Sequence, residues 1–167
     1  MTNLETLKQQ TADMEAKLKE MKAEIERLEN GWKMKRPYKK DDEYWFMYSY
    51  GDIDCSIWFD TLEDDGRLKL GNAFPTEEAA ELEGKRRNLL TRFRAFRDEC
   101  NGDWKPDWSN RDKKWEISYE TEEEFKAFWS CVTNSFSTFG YFKNEQDAQR
   151  AIDLFGDEIK ELFVECE

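Results

Sequence analysis

Apolar residues recur alternately three and four positions apart from the start of the chain: Leu4, Leu7, Thr11, Met14, Leu18, Met21, Ile25 and Leu28. Such spacing over residues 3–30 predicts a long helix with a single coiled-coil seam, and Trp32 falls on the next seam position. Asp13 with Lys17 and Glu15 with Lys19 add favourable pairs on its outer face. A parallel in-register pair would set Lys17 against Lys22 and Glu24 against Glu29 of the other chain, like on like. The pattern therefore favours an antiparallel self-pair, giving a homodimer, or packing on the chain's own helices.

Past Asn30-Gly31 the period changes from helical to alternating. After Pro37 and an acidic hinge at Asp41-Asp42-Glu43, the aromatic run 44–50 reads as a strand that turns at Gly51-Asp52. Residues 53–60 read as its partner, with Ile53, Cys55 and Ile57 on one face. Asp64-Asp65-Gly66 is expected to turn the chain into a third strand over 67–74. A helix then follows from Thr76 to Cys100, capped by the Thr76 hydroxyl and closed by Asn101-Gly102. Leu82, Leu89, Phe93, Phe96 and Cys100 form its apolar stripe.

The plan then repeats. Trp32/Trp104, Trp45/Trp115, Trp58/Trp129, Phe74/Phe142 and Ala80/Ala148 are matched pairs lying about 70 residues apart. Residues 114–120, 125–132 and 135–142 are expected to form three further strands, with Asn144 capping the next helix as Thr76 caps the first. Gly156-Asp157 is expected to break that helix ahead of a short amphipathic one carrying Ile159, Leu162 and Phe163. The predicted fold is α+β, an N-terminal coiled-coil helix (1–31) followed by two duplicated βββα units (32–100 and 101–167) in one compact domain, α-βββ-α-βββ-α.

Composition narrows the chemistry. The chain has 38 acidic and 26 basic residues and a net charge of −12, which opposes generic DNA binding. Its N-terminus is polar and no window approaches a membrane span, so a cytoplasmic protein is expected. Cys55, Cys100, Cys131 and Cys166 lie within apolar patterns and read as reduced core residues. Without histidine, a phosphate-binding glycine loop or a C-x-x-C pair, the sequence points to no cofactor, no metal and no enzyme. Carboxylates at Asp41-Asp42-Glu43, Asp60-Glu63-Asp64-Asp65 and Glu122-Glu123-Glu124 fall at predicted turns, where water keeps them ordinary acids.

Two binding roles and a structural one remain. In the first, the acidic surface formed by Asp41, Asp42, Glu43, Asp60, Glu63, Asp64 and Asp65 occupies a basic groove on a nucleic-acid-handling protein. In the second, the basic row Lys85, Arg86, Arg87, Arg92, Arg94 and Arg97 binds an anionic signalling nucleotide whose base stacks on exposed aromatic rings; the plain alternative is a solvated helix face. In the third, the chain is an assembly adaptor that dimerises through Leu4, Leu7, Met14, Leu18, Met21, Ile25 and Leu28.

The motifs W-K-x-x-x-P (32–37), D-E-Y-W (42–45), G-N-x-F-x-T-E-E-A (71–79), D-W-K-P-x-W (103–108), K-W-x-I-x-Y (114–119) and Y-F-x-x-E-x-x-A-Q-x-A-I-D (141–153) span nearly the whole chain. Together they resemble small accessory proteins encoded by bacteriophages and prophages of Gram-positive bacteria, from which Pro75 and Asn144 are minor departures. The resemblance implies a phage accessory protein acting in the host cytoplasm against a host defence component. That class includes anti-CRISPR inhibitors and nucleotide sponges, and the resemblance supplies no catalytic or ligand residues.

Overall fold

A computed structural model describes residues 3–30, 34–120 and 124–166. The chain divides into two units, Met1–Lys39 and Lys40–Glu167. In the first, α1 runs over Asn3–Asn30, as the heptad spacing predicts. Its described bonds are local: Gln9 Nε2 donates to Asp13 Oδ1 (3.0 Å) and Arg27 pairs with Glu24 at 2.6 Å. The expected seam position Trp32 lies outside the described residues.

The second unit carries the order β1 (Glu43–Met47), β2 (Ile53–Ile57), α2 (Leu62–Lys69), α3 (Glu77–Asn101), β3 (Lys114–Tyr119), β4 (Phe125–Ser130) and α4 (Glu145–Ile159), which ends in a π-helical turn, Lys160–Val164. The fold is α+β, with two antiparallel two-stranded hairpins, β1–β2 and β3–β4. None of the described helices is long and apolar enough to cross a membrane.

The core gathers between the second hairpin, α3 and α4. Leu89 and Phe93 of α3, Ile117 of β3, Phe142, and Ala148, Ala151, Phe155 and Ile159 of α4 form one buried cluster. The Phe93 ring is central, with Phe139, Phe155 and Phe142 at centroid distances of 4.8, 5.3 and 5.9 Å. Both helices start where their caps predict: Thr76 Oγ1 accepts from the Ala79 amide and Asn144 Oδ1 from the Asp147 amide.

The expected three-stranded meanders are not formed. Each hairpin instead receives a single bridge from the residue just ahead of the following helix, Phe74 on Trp45 and Phe142 on Trp115. In the first half, pairing stops because a side chain replaces the backbone. Where Asn72 would face Met47, its side-chain oxygen accepts from the Met47 amide (3.0 Å) and its Nδ2 donates to the Met47 carbonyl (2.7 Å). In the second half, Gly140 takes φ 75° and its amide turns to Ser137, which curls the chain away from β3.

Residues 62–69, expected to be turn and strand, form α2 because Thr61 and Asp64 make a reciprocal capping box. Gly156 does not break α4. It is buried inside the helix, beside the Phe125 ring, where even a Cβ would stand at the ordinary contact distance of 3.6 Å. The repeat also shifts register at one pair. With Trp45 opposite Cys55 and Trp115 opposite Trp129, the position equivalent to Trp129 is Cys55, not Trp58.

Asp64 fastens α2 to the first hairpin. It is 3 % exposed, and its carboxylate accepts from the Tyr44 hydroxyl (2.8 Å), the Thr61 hydroxyl (2.8 Å), and the Phe59 and Thr61 amides (both 3.0 Å). Burial alone would raise its pKa, but the donors from Thr61, Tyr44 and Phe59 outweigh it and hold the group at about 2, below the ordinary 3.8. Removing the carboxylate in Asp64→Ala leaves buried donors without an acceptor. It should cost roughly 2–4 kcal/mol in urea unfolding at neutral pH. Because the folded-state pKa is the lower one, the stabilisation is complete above about pH 4 and is lost as pH falls through about 2, a change on the order of 2 kcal/mol. Acid unfolding of wild type and Asp64→Asn side by side should show that component only in wild type.

Candidate functional site

Two acidic segments far apart in sequence meet around Trp58. The Trp58 amide donates to the Asp42 carbonyl (2.8 Å), the Asp41 amide donates to the Trp58 carbonyl (2.9 Å), and the Trp58 indole Nε1 donates to Asp60 Oδ1 (2.8 Å). Trp58 itself is fully buried. Asp41 and Asp60 both take positive φ (72° and 59°), a conformation that Asp tolerates better than most residues. Asp41, Asp42, Glu43, Asp60 and Glu63 are exposed and Asp65 is half-buried, all at one end of the β1–β2 hairpin.

Asp64 is the exception among the expected surface carboxylates. Its side chain is turned into the protein and offers no partner a charge. Glu63 is partly answered by Arg67 at 2.5 Å, whose guanidinium also lies 3.5 Å over the Phe46 ring. Of the third acidic cluster, Glu122 and Glu123 lie outside the described residues, while Glu124 is exposed. Charge is unevenly divided along the chain: residues 1–39 hold nine basic and seven acidic side chains, residues 40–167 hold 17 and 31. The field of the second unit is therefore strongly negative.

The basic row on α3 is spread among separate partners. Arg86 Nε donates to the Leu162 carbonyl at 2.7 Å, with its guanidinium 5.2 Å over Phe163. Arg87 reaches Glu83 Oε1 and the Gly71 carbonyl, both at 2.8 Å. Arg92 holds Asn88 Oδ1 (2.8 Å) and Glu158, and Arg97 holds Asp98 (2.7 Å) and the Phe139 carbonyl (3.1 Å). Lys85 and Arg94 are exposed. These bonds fasten α3 to the segments around it, and the guanidiniums do not converge on one point. Arg87 does line an open cleft of about 640 Å³ with Met47, Tyr48, Asn88 and Thr91. The Tyr48 ring stacks on Tyr50 at 5.1 Å, and both are exposed.

On α1 the seam residues Leu4, Leu7, Met14, Leu18, Met21, Ile25 and Leu28 are each between 52 and 71 % exposed. The cysteines depart from expectation. All four are free thiols, but Cys55 and Cys166 are exposed and only Cys100 and Cys131 are half-buried. Among the described residues no group of His, Cys, Asp or Glu could hold a metal ion.

Sequence reasoning passed over one surface, the segment 131–141, read as the end of one strand (125–132) and most of the next (135–142). Here the Tyr141 hydroxyl donates to Asn134 Oδ1 (3.1 Å) and accepts from the Ser135 amide (2.8 Å), and Ser135 Oγ donates to the buried Glu116 (2.6 Å). Held this way, Phe136 takes φ 54° and projects with 89 % of its surface exposed, near a groove of about 490 Å³ lined by Phe128, Trp129 and Val132. The Ser, Asn and Thr residues scattered through 133–138 are the signal for a loop that the aromatic alternation obscured.

No protein-family model, curated protein or solved structure matches this chain.

A bulky residue at φ 54° carries strain without packing to offset it, so Phe136→Gly should raise stability by roughly 0.5–1 kcal/mol. Urea unfolding measures it. A loss of stability instead would show that the Phe136 ring is held by contacts.

Proposed function

We propose that this chain is a non-catalytic binding protein that docks on a basic surface of a protein partner through the carboxylates at one end of its first hairpin. The observation that carries this reading is the meeting of the Asp41-Asp42 backbone and the Asp60 side chain on the buried Trp58, with Glu43, Glu63 and Asp65 next to them along the chain and Asp64 the one fully buried carboxylate of the set. A set of outward carboxylates on a rigid base suits a groove lined by Lys and Arg, the kind of groove that otherwise takes a phosphate backbone. Joined to the resemblance to phage accessory proteins, the partner is a nucleic-acid-handling nuclease complex of a host defence system. The chain is then an inhibitor of the anti-CRISPR kind, acting in the host cytoplasm as a homodimer paired through α1. Within the same proposal the two halves descend from one duplicated unit, a view the matching bridges Trp45–Phe74 and Trp115–Phe142 support.

A second reading, sequestration of an anionic nucleotide, draws on the cleft where Tyr48 and Arg87 lie together. There a phosphate would have to draw Arg87 away from Glu83 and Gly71, which weakens it beside the first.

The test is capture from a bacterial lysate on immobilised protein, comparing wild type with the triple variant Asp60→Asn/Glu63→Gln/Asp65→Asn. Wild type should hold a basic protein or complex at low ionic strength and release it at about 0.5 M salt, where charges are screened. The triple variant should lose about tenfold or more of the captured material, because it keeps Asp64 and the fold but not the outward charge. Equal capture by both proteins would refute the acidic face as the docking surface.

A further inference from the structure

Among the described residues two carboxylates are buried, and they are served differently. Asp64 accepts from four protein donors, whereas Glu116 of β3, 9 % exposed, accepts from one, the Ser135 hydroxyl at 2.6 Å on Oε2. Its other oxygen, Oε1, has no partner and is not sealed from the surface. It therefore opens on the groove of about 490 Å³ that Glu116 lines with Phe128, Val132 and Ser135. A carboxylate so far withdrawn from water, with half of its acceptor capacity unmet, calls for a donor that brings a positive charge. The two lysines on the same face of the hairpin do not supply it. Lys114 turns to Asn110 Oδ1 and Lys126 to Glu120, each at 2.8 Å.

We infer that this groove is a binding site for an arginine side chain of a protein partner, whose guanidinium lies on the Phe128 ring and donates to Glu116 Oε1. The inference goes beyond the acidic docking face: it shares with that reading only the basic character of the partner and stands on the second hairpin alone.

The first hairpin shows what fits there. Register sets Phe46 opposite Asp54 in β1–β2 and Glu116 opposite Phe128 in β3–β4, each pair one residue beyond the bridged tryptophan, Trp45 or Trp115. Both hairpins thus oppose an aromatic and an acidic residue at the same place, with the strands exchanged. In the first, the chain covers the aromatic ring itself, with the Arg67 guanidinium of α2 at 3.5 Å over Phe46. In the second, no described helix stands between β4 and α4, and among the described residues no arginine lies over Phe128, which is 53 % exposed.

Guanidinium suits the groove better than ammonium. It is flat and weakly hydrated, so it can stack on a ring while one edge donates to a carboxylate; a lysine head is compact and gives up more hydration on entering. Val132 offers the aliphatic stem an apolar contact.

The experiment titrates the ¹⁵N-labelled full chain with the peptide acetyl-Gly-Arg-Gly-amide, and with the same peptide carrying citrulline or lysine in place of arginine. Amides of residues 116, 128–133 and 135 should shift and saturate with a Kd on the order of 1 mM. Citrulline, neutral and of the same shape, should bind about tenfold more weakly or worse, and lysine about threefold more weakly. Glu116→Gln, which keeps an acceptor for Ser135, should weaken the arginine peptide about tenfold, and Phe128→Ala about threefold, with the spectrum elsewhere unchanged. Equal binding of the citrulline or lysine peptide, full affinity in either variant, or shifts confined to residues 41–43 and 60–65 would each overturn the inference. The groove shifts should persist in Asp60→Asn/Glu63→Gln/Asp65→Asn, and their loss there would overturn it too. If they persist while lysate capture ignores that triple variant, only the docking reading fails; if the groove stays silent while capture depends on the variant, only the arginine site fails.

Discussion

One inward-turned carboxylate sets the geometry of the first half of the second unit. Asp64 has no guanidinium bonded to it directly; it is held as an anion by two hydroxyls and two amides, and Arg67 reaches it only through the Tyr44 hydroxyl. A buried charge with that set of donors is stable only while all of them stay in place, so it fixes the start of α2, the end of β2 and the ring of Tyr44 together. It also decides the direction of its neighbours. With residue 64 inward at the third position of the helix, Glu63 points to solvent and Asp60 closes on the Trp58 indole.

The two hairpins share α3 but are finished differently. The first offers Tyr44, Phe46 and Trp58 on one face, all buried, with Arg67 of α2 stacked over Phe46. At the equivalent positions the second hairpin has Lys114, Glu116 and Val132, two of them polar and the third exposed, so no apolar face remains there for a helix to cover. A polar network through Ser135, Asn134 and Tyr141 takes over, and Lys114 is satisfied by Asn110 at 2.8 Å beneath the Trp108 ring. The first half therefore gains a rigid acidic end, and the second gains an aromatic loop.

Local signals carried the parts of the fold that are local. The heptad spacing gave α1, and the Thr76 and Asn144 caps gave the starts of α3 and α4, because each depends on residues within one turn. The capping box at Thr61 and Asp64 was equally local but was outweighed by the Asp-Asp-Gly turn signal beside it. The missing third strands could not be read, since an Asn side chain standing in for a strand backbone looks in sequence like any loop asparagine. Gly156 resembles a helix breaker in sequence, but the buried apolar face of α4 on either side of it, Ala151, Phe155 and Ile159, carries the helix through. The acidic clusters were legible as clusters, but which aspartate would be buried was not, because one of its donors is Tyr44, twenty residues away.

If the outward carboxylates around Trp58 form one docking surface, they should have more affinity for cations than the acidic residues elsewhere. Amide chemical shifts of the ¹⁵N-labelled chain during titration with an oligolysine of about eight residues read this out residue by residue. Residues 41–43 and 60–65 should shift first and most, and the shifts should collapse as salt is raised. Shifts spread evenly over acids on other elements, such as Asp153, Asp157 and Glu161, would contradict a single acidic docking face.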